Sequence, residues 1–128
     1  MGGRLALMEF MASSSHRLAR FLERECGAGA MMMPLSYPSD ISPEAKFGLI
    51  GDFSHRHAAI AAGLGTWGRH NLVLHPTLGA RVLFSTILTD MELASDPPVK
   101  EPLCNSCNLC VESCPGRALD VEGKTEQL

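Results

Sequence analysis

The chain has 128 residues, which suits one compact domain or a small domain with an appended module. Its hydrophobic fraction of 45% can supply a core, and its net charge of −3 comes without a contiguous basic stretch that would favour nucleic-acid binding. No apolar run approaches the roughly 20 residues of a membrane-spanning helix, and no export signal or twin arginine opens the chain. Its free cysteines favour a reducing compartment, so we expect a cytoplasmic protein.

The first predicted element is an amphipathic helix over residues 4–25. Gly27 ends it, and Cys26 is interpreted as a packed, inert thiol. An extended segment over 31–37 follows a Gly-Ala turn. The helix prediction rests on apolar residues at helical spacing, namely Leu5, Met8, Met11, Leu18, Phe21 and Leu22.

A second, alanine-rich helix is predicted over residues 54–64, directly before a run of glycines. Gly63, Gly65 and Gly68 fit the pattern G-x-G-x-x-G of dinucleotide-binding proteins. That site needs a strand before the glycines and a helix after them, whereas here the order is reversed, so we do not expect NAD binding. The glycines still let the backbone approach another group closely, and they place Trp67 at the tip of a turn.

A β-hairpin is predicted after the glycines. Residues 71–75 and 81–89 are rich in β-forming side chains, and Pro76 and Gly79 lie between them. Residues 90–102 then read as an acidic linker that contains prolines.

Four cysteines follow this linker in the pattern C-x2-C-x2-C-x3-C-P, formed by Cys104, Cys107, Cys110, Cys114 and Pro115. Bacterial-type ferredoxins hold [4Fe–4S] clusters with this run. Three cysteines at three-residue steps can wrap a tight loop around one face of a cubane, and crowded thiolates repel each other without a metal core. The proline stops a helix from continuing past the last cysteine. The run therefore predicts an iron–sulfur site.

Two other interpretations of the cysteines are weaker. A structural zinc site usually has two C-x-x-C pairs separated by a dozen or more residues, and nothing marks the chain as a secreted, disulfide-linked protein.

In two-cluster ferredoxins the fourth cysteine of the run binds the other cluster, and no second copy of the motif is present. Either Cys114 completes a single cluster, or the chain is part of a longer protein, which we favour.

The ordered combination of these motifs resembles epoxyqueuosine reductases and the related reductive dehalogenase-like iron–sulfur proteins. The resemblance extends over most of residues 17–120. It is carried by the stretches 18–24, 54–68, 71–74, 79–82 and 86–90, by Pro76, and by the cysteine run.

This resemblance implies a cobalamin-dependent reductase in which two [4Fe–4S] clusters supply electrons to a corrinoid. The glycine segment would then help to bind the corrinoid through Gly63, Gly65, Trp67 and Gly68. Asp52 is the nearest candidate for the aspartate that supplies a proton in epoxyqueuosine reductases, although its offset from Gly63 is about three residues too short. The chain departs from the family in lacking the second cluster motif and the usual N-terminal portion, and in its Ser-His-Arg-His sequence. A tRNA substrate would be implied by the resemblance alone.

Several basic side chains have both a functional and a structural interpretation. A histidine could donate a proton, because imidazole titrates near neutrality, or it could serve as a helix cap or surface hydrogen-bond partner. The arginines could bind corrinoid amides or phosphate, or face solvent. The residues concerned are His55, His57, His70, His75, Arg56, Arg69 and Arg81.

We therefore expect an α/β (α+β) domain with a C-terminal ferredoxin-like [4Fe–4S] module. Residues 1–92 would form a partial corrinoid-reductase-like domain, and residues 93–128 the cluster-binding segment. The expected function is an iron–sulfur redox protein that passes electrons to a reductase site, with catalysis only as part of a complete two-cluster protein. The alternatives are a stand-alone ferredoxin-like electron carrier and a zinc-stabilised interaction domain. The expected partner is a redox protein or the remainder of a longer chain.

Overall fold

A computed structural model describes residues 2–35 and 53–119 of the chain. It contains both helices and short strands, which confirms a mixed α/β fold. The elements are α1 (Gly2–Glu25), β1 (Ala30–Met32), α2 (His55–Ala61), β2 (Thr66–Trp67), β3 (Val73–Leu74), β4 (Ile87–Thr89) and α3 (Leu109–Glu112). None of the helices in these residues is long and apolar enough to cross a membrane.

The chain divides into two compact units, each made of two segments. The first unit combines Met1–His55 with Ser85–Ala94, and the second combines Arg56–Phe84 with Ser95–Leu128. The sequence-based boundary at residue 92 stays a prediction.

In the first unit, α1 packs against β1, which pairs with β4 in an antiparallel sheet. The helix ends as predicted, because Gly27 adopts a φ of 67° and the Ala28 N–H donates to the Leu22 carbonyl over 3.1 Å. The small side chains of Ser15 and Ala19, one helical turn apart, are buried. A small-residue face on α1 therefore lies inward, while larger apolar side chains of the same helix stay exposed.

In the second unit, α2 ends at Ala61, and Gly63 follows two residues later with a φ of 74° that suits a residue without a Cβ. The Leu64 N–H donates back to the Ala59 carbonyl over 2.9 Å, so the chain reverses into β2. Ala59 and Val73 are the buried apolar residues described in this unit. The core of the unit is thus small, with one buried apolar side chain on α2 and one on β3.

The predicted hairpin between residues 71–75 and 81–89 is wrong. The turn itself forms, since His75 and Gly79 exchange both backbone hydrogen bonds, but residues 81–86 carry no strand. Leu74 instead pairs with Thr66, and residues 87–89 pair with 30–32. Both β-rich stretches thus have other partners, one nearby and one from the first part of the chain.

Two further expectations need correction. Cys26 is exposed rather than packed. Trp67 does not lie at the tip of a turn, because it is half-buried in β2 opposite Val73.

Candidate cysteine site and the adjoining glycine turn

The cysteine run forms an irregular loop that leads into α3. Ser106 and Asn108 adopt left-handed backbone conformations, with φ of 57° and 63°. These two reversals, on either side of Cys107, turn the chain sharply between successive cysteines. The short helix then carries Cys110, and it ends before Cys114 as the proline predicted.

Backbone N–H groups favour the thiolate form at both ends of the run. The Arg69 N–H, followed by that of Ser106, lowers the pKa of Cys104, and partial burial opposes this effect. The Ala118 N–H is the main cause that lowers the pKa of Cys114. Because the thiolate is the form of cysteine that binds metals, the chemistry of these donors fits an iron–sulfur site.

One buried polar atom of the cysteine loop has no hydrogen-bond partner in the protein. The side-chain oxygen of Asn108, between the second and third cysteines of the run, is buried without a hydrogen-bond partner. In the part of the chain that the structure describes, no three side chains of the metal-binding types lie close enough together to hold one metal ion. The assignment of Cys104, Cys107, Cys110 and Cys114 as ligands therefore stays a prediction supported by spacing and donor chemistry.

The three glycines of the turn lie against other atoms of the same chain. A Cβ on Gly63 would come within 2.6 Å of the Pro97 carbonyl oxygen, which belongs to the linker before the cysteines. A Cβ on Gly65 would overlap the Leu74 carbonyl, and one on Gly68 would overlap the His70 ring. Close packing within the protein thus explains why these positions need glycine, and their contact with a cofactor stays a prediction.

Trp67 contacts two side chains of α2. The Arg56 guanidinium lies 5.7 Å from the centroid of the indole, and the His57 ring meets the indole edge to face at 4.9 Å. Arg56 also donates a short hydrogen bond to the Asn71 carbonyl. The arginine therefore joins α2 both to β2 and to the loop between β2 and β3.

The glycine turn and the first cysteine are directly linked. The Leu103 N–H donates to the Thr66 hydroxyl oxygen over 3.0 Å, and the Arg69 N–H donates to Cys104. Sequence reasoning missed Thr66, because a threonine between a glycine and a tryptophan carries no signal of a partner so far along the chain.

Three of the four candidate histidines act as hydrogen-bond partners within the protein. His55 Nε2 lies 2.8 Å from the Pro34 carbonyl, which can only accept, so Nε2 carries a proton, and in the neutral ring Nδ1 accepts from the Thr86 hydroxyl. His70 and His75 each accept backbone N–H groups from residues that follow them. These contacts favour the structural interpretation. Asp52 lies outside the described residues.

Comparison with known proteins finds relatives for about half of the chain. An epoxyqueuosine reductase of Listeria monocytogenes is 36% identical over 74 residues, which are 58% of this chain and 19% of the relative. An epoxyqueuosine reductase of Vibrio cholerae is 38% identical over 68 residues, 53% of this chain and 18% of the relative. A tetrachloroethene reductive dehalogenase of Desulfitobacterium hafniense is 37% identical over 67 residues, 50% of this chain and 12% of the relative.

No family model and no solved structure matches the chain. The chain spans only 12–19% of the length of these three relatives. About half of the chain is similar in sequence to both epoxyqueuosine reductases and reductive dehalogenases, as the motifs predicted.

Proposed function

We propose that this chain is the iron–sulfur redox segment of an oxidoreductase similar to epoxyqueuosine reductases. Cys104, Cys107, Cys110 and Cys114 would hold a [4Fe–4S] cluster, which supplies one-electron transfer when bound. The observation that carries the proposal is a ferredoxin-type cysteine run whose two end thiols both have a lowered pKa. The similarity to two classes of reductase supports an oxidoreductase over a zinc-stabilised domain.

The protein's own contribution is to stabilise negative charge on the end sulfurs. Backbone N–H groups from Arg69 and Ala118 donate to Cys104 and Cys114. Such bonds stabilise thiolates, and in iron–sulfur proteins hydrogen bonds to sulfur help to set the reduction potential.

The finer parts of the proposal rest on the resemblance. Gly63, Gly65, Trp67 and Gly68 would lie near a bound cobalamin, and Asp52 would supply a proton. Electrons would pass to a reductase site in a redox partner or in the remainder of a longer protein. A tRNA substrate and a cytoplasmic location belong to the same proposal.

Anaerobic reconstitution with ferrous iron and sulfide tests the cluster. About four irons and four sulfides per chain, with brown colour near ~400 nm, are expected from one cubane. Serine in place of Cys104, Cys107 or Cys110 should abolish the colour, whereas Cys26→Ser, which alters an exposed thiol outside the run, should leave it unchanged. Colourless protein that binds one zinc per chain would overturn the proposal.

Cys114→Ser tests whether one cluster can be complete in this chain. Retained iron and sulfide in this variant would show that this cluster does not need Cys114, which leaves Cys114 available to a second cluster, and loss of the cluster would assign it to the same cluster as Cys110.

A stand-alone electron carrier is the second candidate. It is favoured by the single cysteine motif among the five cysteines of the sequence. Adding cobalamin to the reconstituted protein separates the two functions, because binding should shift the corrin absorbance. A reversible cluster without any corrin shift at high protein concentration would support the electron carrier.

A further inference from the structure

The linker before the cysteines runs alongside the glycine turn in the same chain direction. Gly63 lies against Pro97, Thr66 binds Leu103, and the Arg69 N–H reaches Cys104, so these contacts follow the order of both segments. The linker first comes close to the glycine turn at Gly63. The Pro97 carbonyl lies so near to Gly63 that no side chain would fit at this position.

Within this arrangement the bond between Thr66 and Leu103 is the last attachment before the first cysteine. Leu103 is the residue directly before Cys104, and its N–H has the Thr66 hydroxyl as its acceptor at 3.0 Å. Thr66 is itself held in β2, where it pairs with Leu74 of β3. A backbone fixed at residue 103 restricts where the next sulfur can lie.

We propose that Thr66 is a positioning residue for Cys104: its hydroxyl fixes the Leu103 backbone and thereby keeps the Cys104 sulfur at the Arg69 N–H. The proposal rests on the function proposed above and extends it to a residue outside the cysteine run. Its consequence is that the reduction potential of a cluster on Cys104 depends on the glycine turn, because hydrogen bonds to the ligand sulfurs help to set that potential. Loss of the Thr66 hydroxyl should make the potential more negative, since the sulfur loses a donor.

The test compares Thr66→Val, which removes the hydroxyl at nearly constant volume, with Thr66→Ser, which keeps it. The matched control is Thr89→Val, because the Thr89 hydroxyl also accepts a backbone N–H, that of Met91, within the other unit. Each protein is reconstituted anaerobically, assayed for iron and sulfide, and titrated for its midpoint potential. We expect a more negative potential in Thr66→Val alone. An unchanged potential in a fully reconstituted Thr66→Val protein would overturn the proposal.

A second pair of variants breaks the same bond from the donor side. Leu103→Pro removes the N–H, and Leu103→Ala keeps it, so the first should reproduce the shift of Thr66→Val and the second should not. If Thr66→Val does not fold, as its circular dichroism would show, this pair decides the question. Equal potentials for Leu103→Pro and Leu103→Ala would then count against the role of Thr66.

Amide hydrogen exchange at Leu103 gives a readout that needs no cluster. In the cluster-free protein we expect slow exchange in the parent and in Thr66→Ser, and exchange at least about tenfold faster in Thr66→Val, as loss of roughly 1.4 kcal/mol of protection would give. If the parent takes up no cluster, the proposed function fails while this measurement still decides whether Thr66 holds the backbone beside Cys104. Fast exchange at Leu103 in the parent would overturn the positioning role.

Discussion

Arg56 and Trp67 form a cation–π pair in which the guanidinium lies 5.7 Å from the indole centroid. The same arginine donates to the Asn71 carbonyl, where the backbone has a φ of 59°. One side chain of α2 thus fixes both a strand residue and the strained loop after it. With these two contacts, Arg56 should contribute more to the stability of the second unit than an exposed arginine does.

We expect Arg56→Ala to lower the free energy of unfolding by about 1–2 kcal/mol, because it removes both the cation–π contact and the bond to Asn71. Trp67 is the single tryptophan of the sequence, so its fluorescence during urea denaturation reports the change. The control Arg17→Ala, in an exposed position of α1, should leave the urea midpoint unchanged. Equal midpoints for the two variants would contradict the role given to Arg56.

Alanine substitutions at two glycines can distinguish the cost of a steric overlap from the cost of a left-handed backbone conformation. Gly65→Ala would overlap the Leu74 carbonyl, although Gly65 lacks a left-handed φ, whereas Gly79 has a φ of 60° and open space around it. We expect Gly79→Ala to lower the free energy of unfolding by about 1 kcal/mol and Gly65→Ala to lower it by clearly more, because a backbone oxygen cannot rotate away. Thermal or urea unfolding checks the order, and a smaller loss for Gly65→Ala would be evidence against the close approach.

His55 gives a prediction for the first unit. Leucine at this position would leave the Thr86 hydroxyl and the Pro34 carbonyl without their partner, so His55→Leu should lower the free energy of unfolding by about 1–3 kcal/mol. A double-mutant cycle with Thr86→Val should show a coupling energy, since the two side chains share one bond. His16→Leu, on the exposed surface of α1, is the control and should have little effect. Strict additivity of His55→Leu and Thr86→Val would argue that the bond does not form.

The lowered pKa values of Cys104 and Cys114 predict a pH dependence in the cluster-free protein. Since each thiol has a lower pKa in the folded state than in the unfolded chain, its contribution to stability is complete above the usual cysteine pKa. The contribution is lost as the pH falls through the lowered pKa. Alkylation rates at each cysteine, measured by mass spectrometry across pH, should therefore show both thiolates forming below that usual value.

Arg69→Gln tests which group causes the shift at Cys104. The backbone N–H of residue 69 is the largest cause and the arginine charge the smallest, so the variant should keep most of the lowered pKa. Cys114 owes its shift to other residues and serves as the internal control. A return of Cys104 to ordinary behaviour would assign the effect to the guanidinium.

Local signals in the sequence predicted local structure well. The end of α1 followed from Gly27, and α2 followed from the alanine-rich stretch before Gly63, although it is shorter than the predicted 54–64. In both cases residues close in sequence decide the outcome, because helix ends depend on the backbone conformation of one residue.

Strand pairing was predicted wrongly for a physical reason. Residues 87–89 look like the second half of a hairpin, but their partner is β1, far earlier in the chain. Periodicity identifies a strand without identifying its partner, and the choice depends on where α1 packs. Thr66 was missed for the same reason. Its proposed role depends on a hydrogen bond to Leu103, far along the chain, and the residues next to it in sequence give no sign of that contact.

The pairing of Ala30 with Thr89 has a consequence for biosynthesis. On the ribosome, β1 emerges long before β4, so α1 and β1 wait without their partner strand while α2, β2 and β3 are made. Closing so long a loop costs entropy before any pairing is gained, which slows folding. The second unit is completed later still, when the linker and cysteines arrive. Insertion of a metal cluster into this chain would thus follow translation, and until then the exposed apolar side chains of α1, such as Leu5, Phe10 and Phe21, offer a surface through which half-made chains can aggregate.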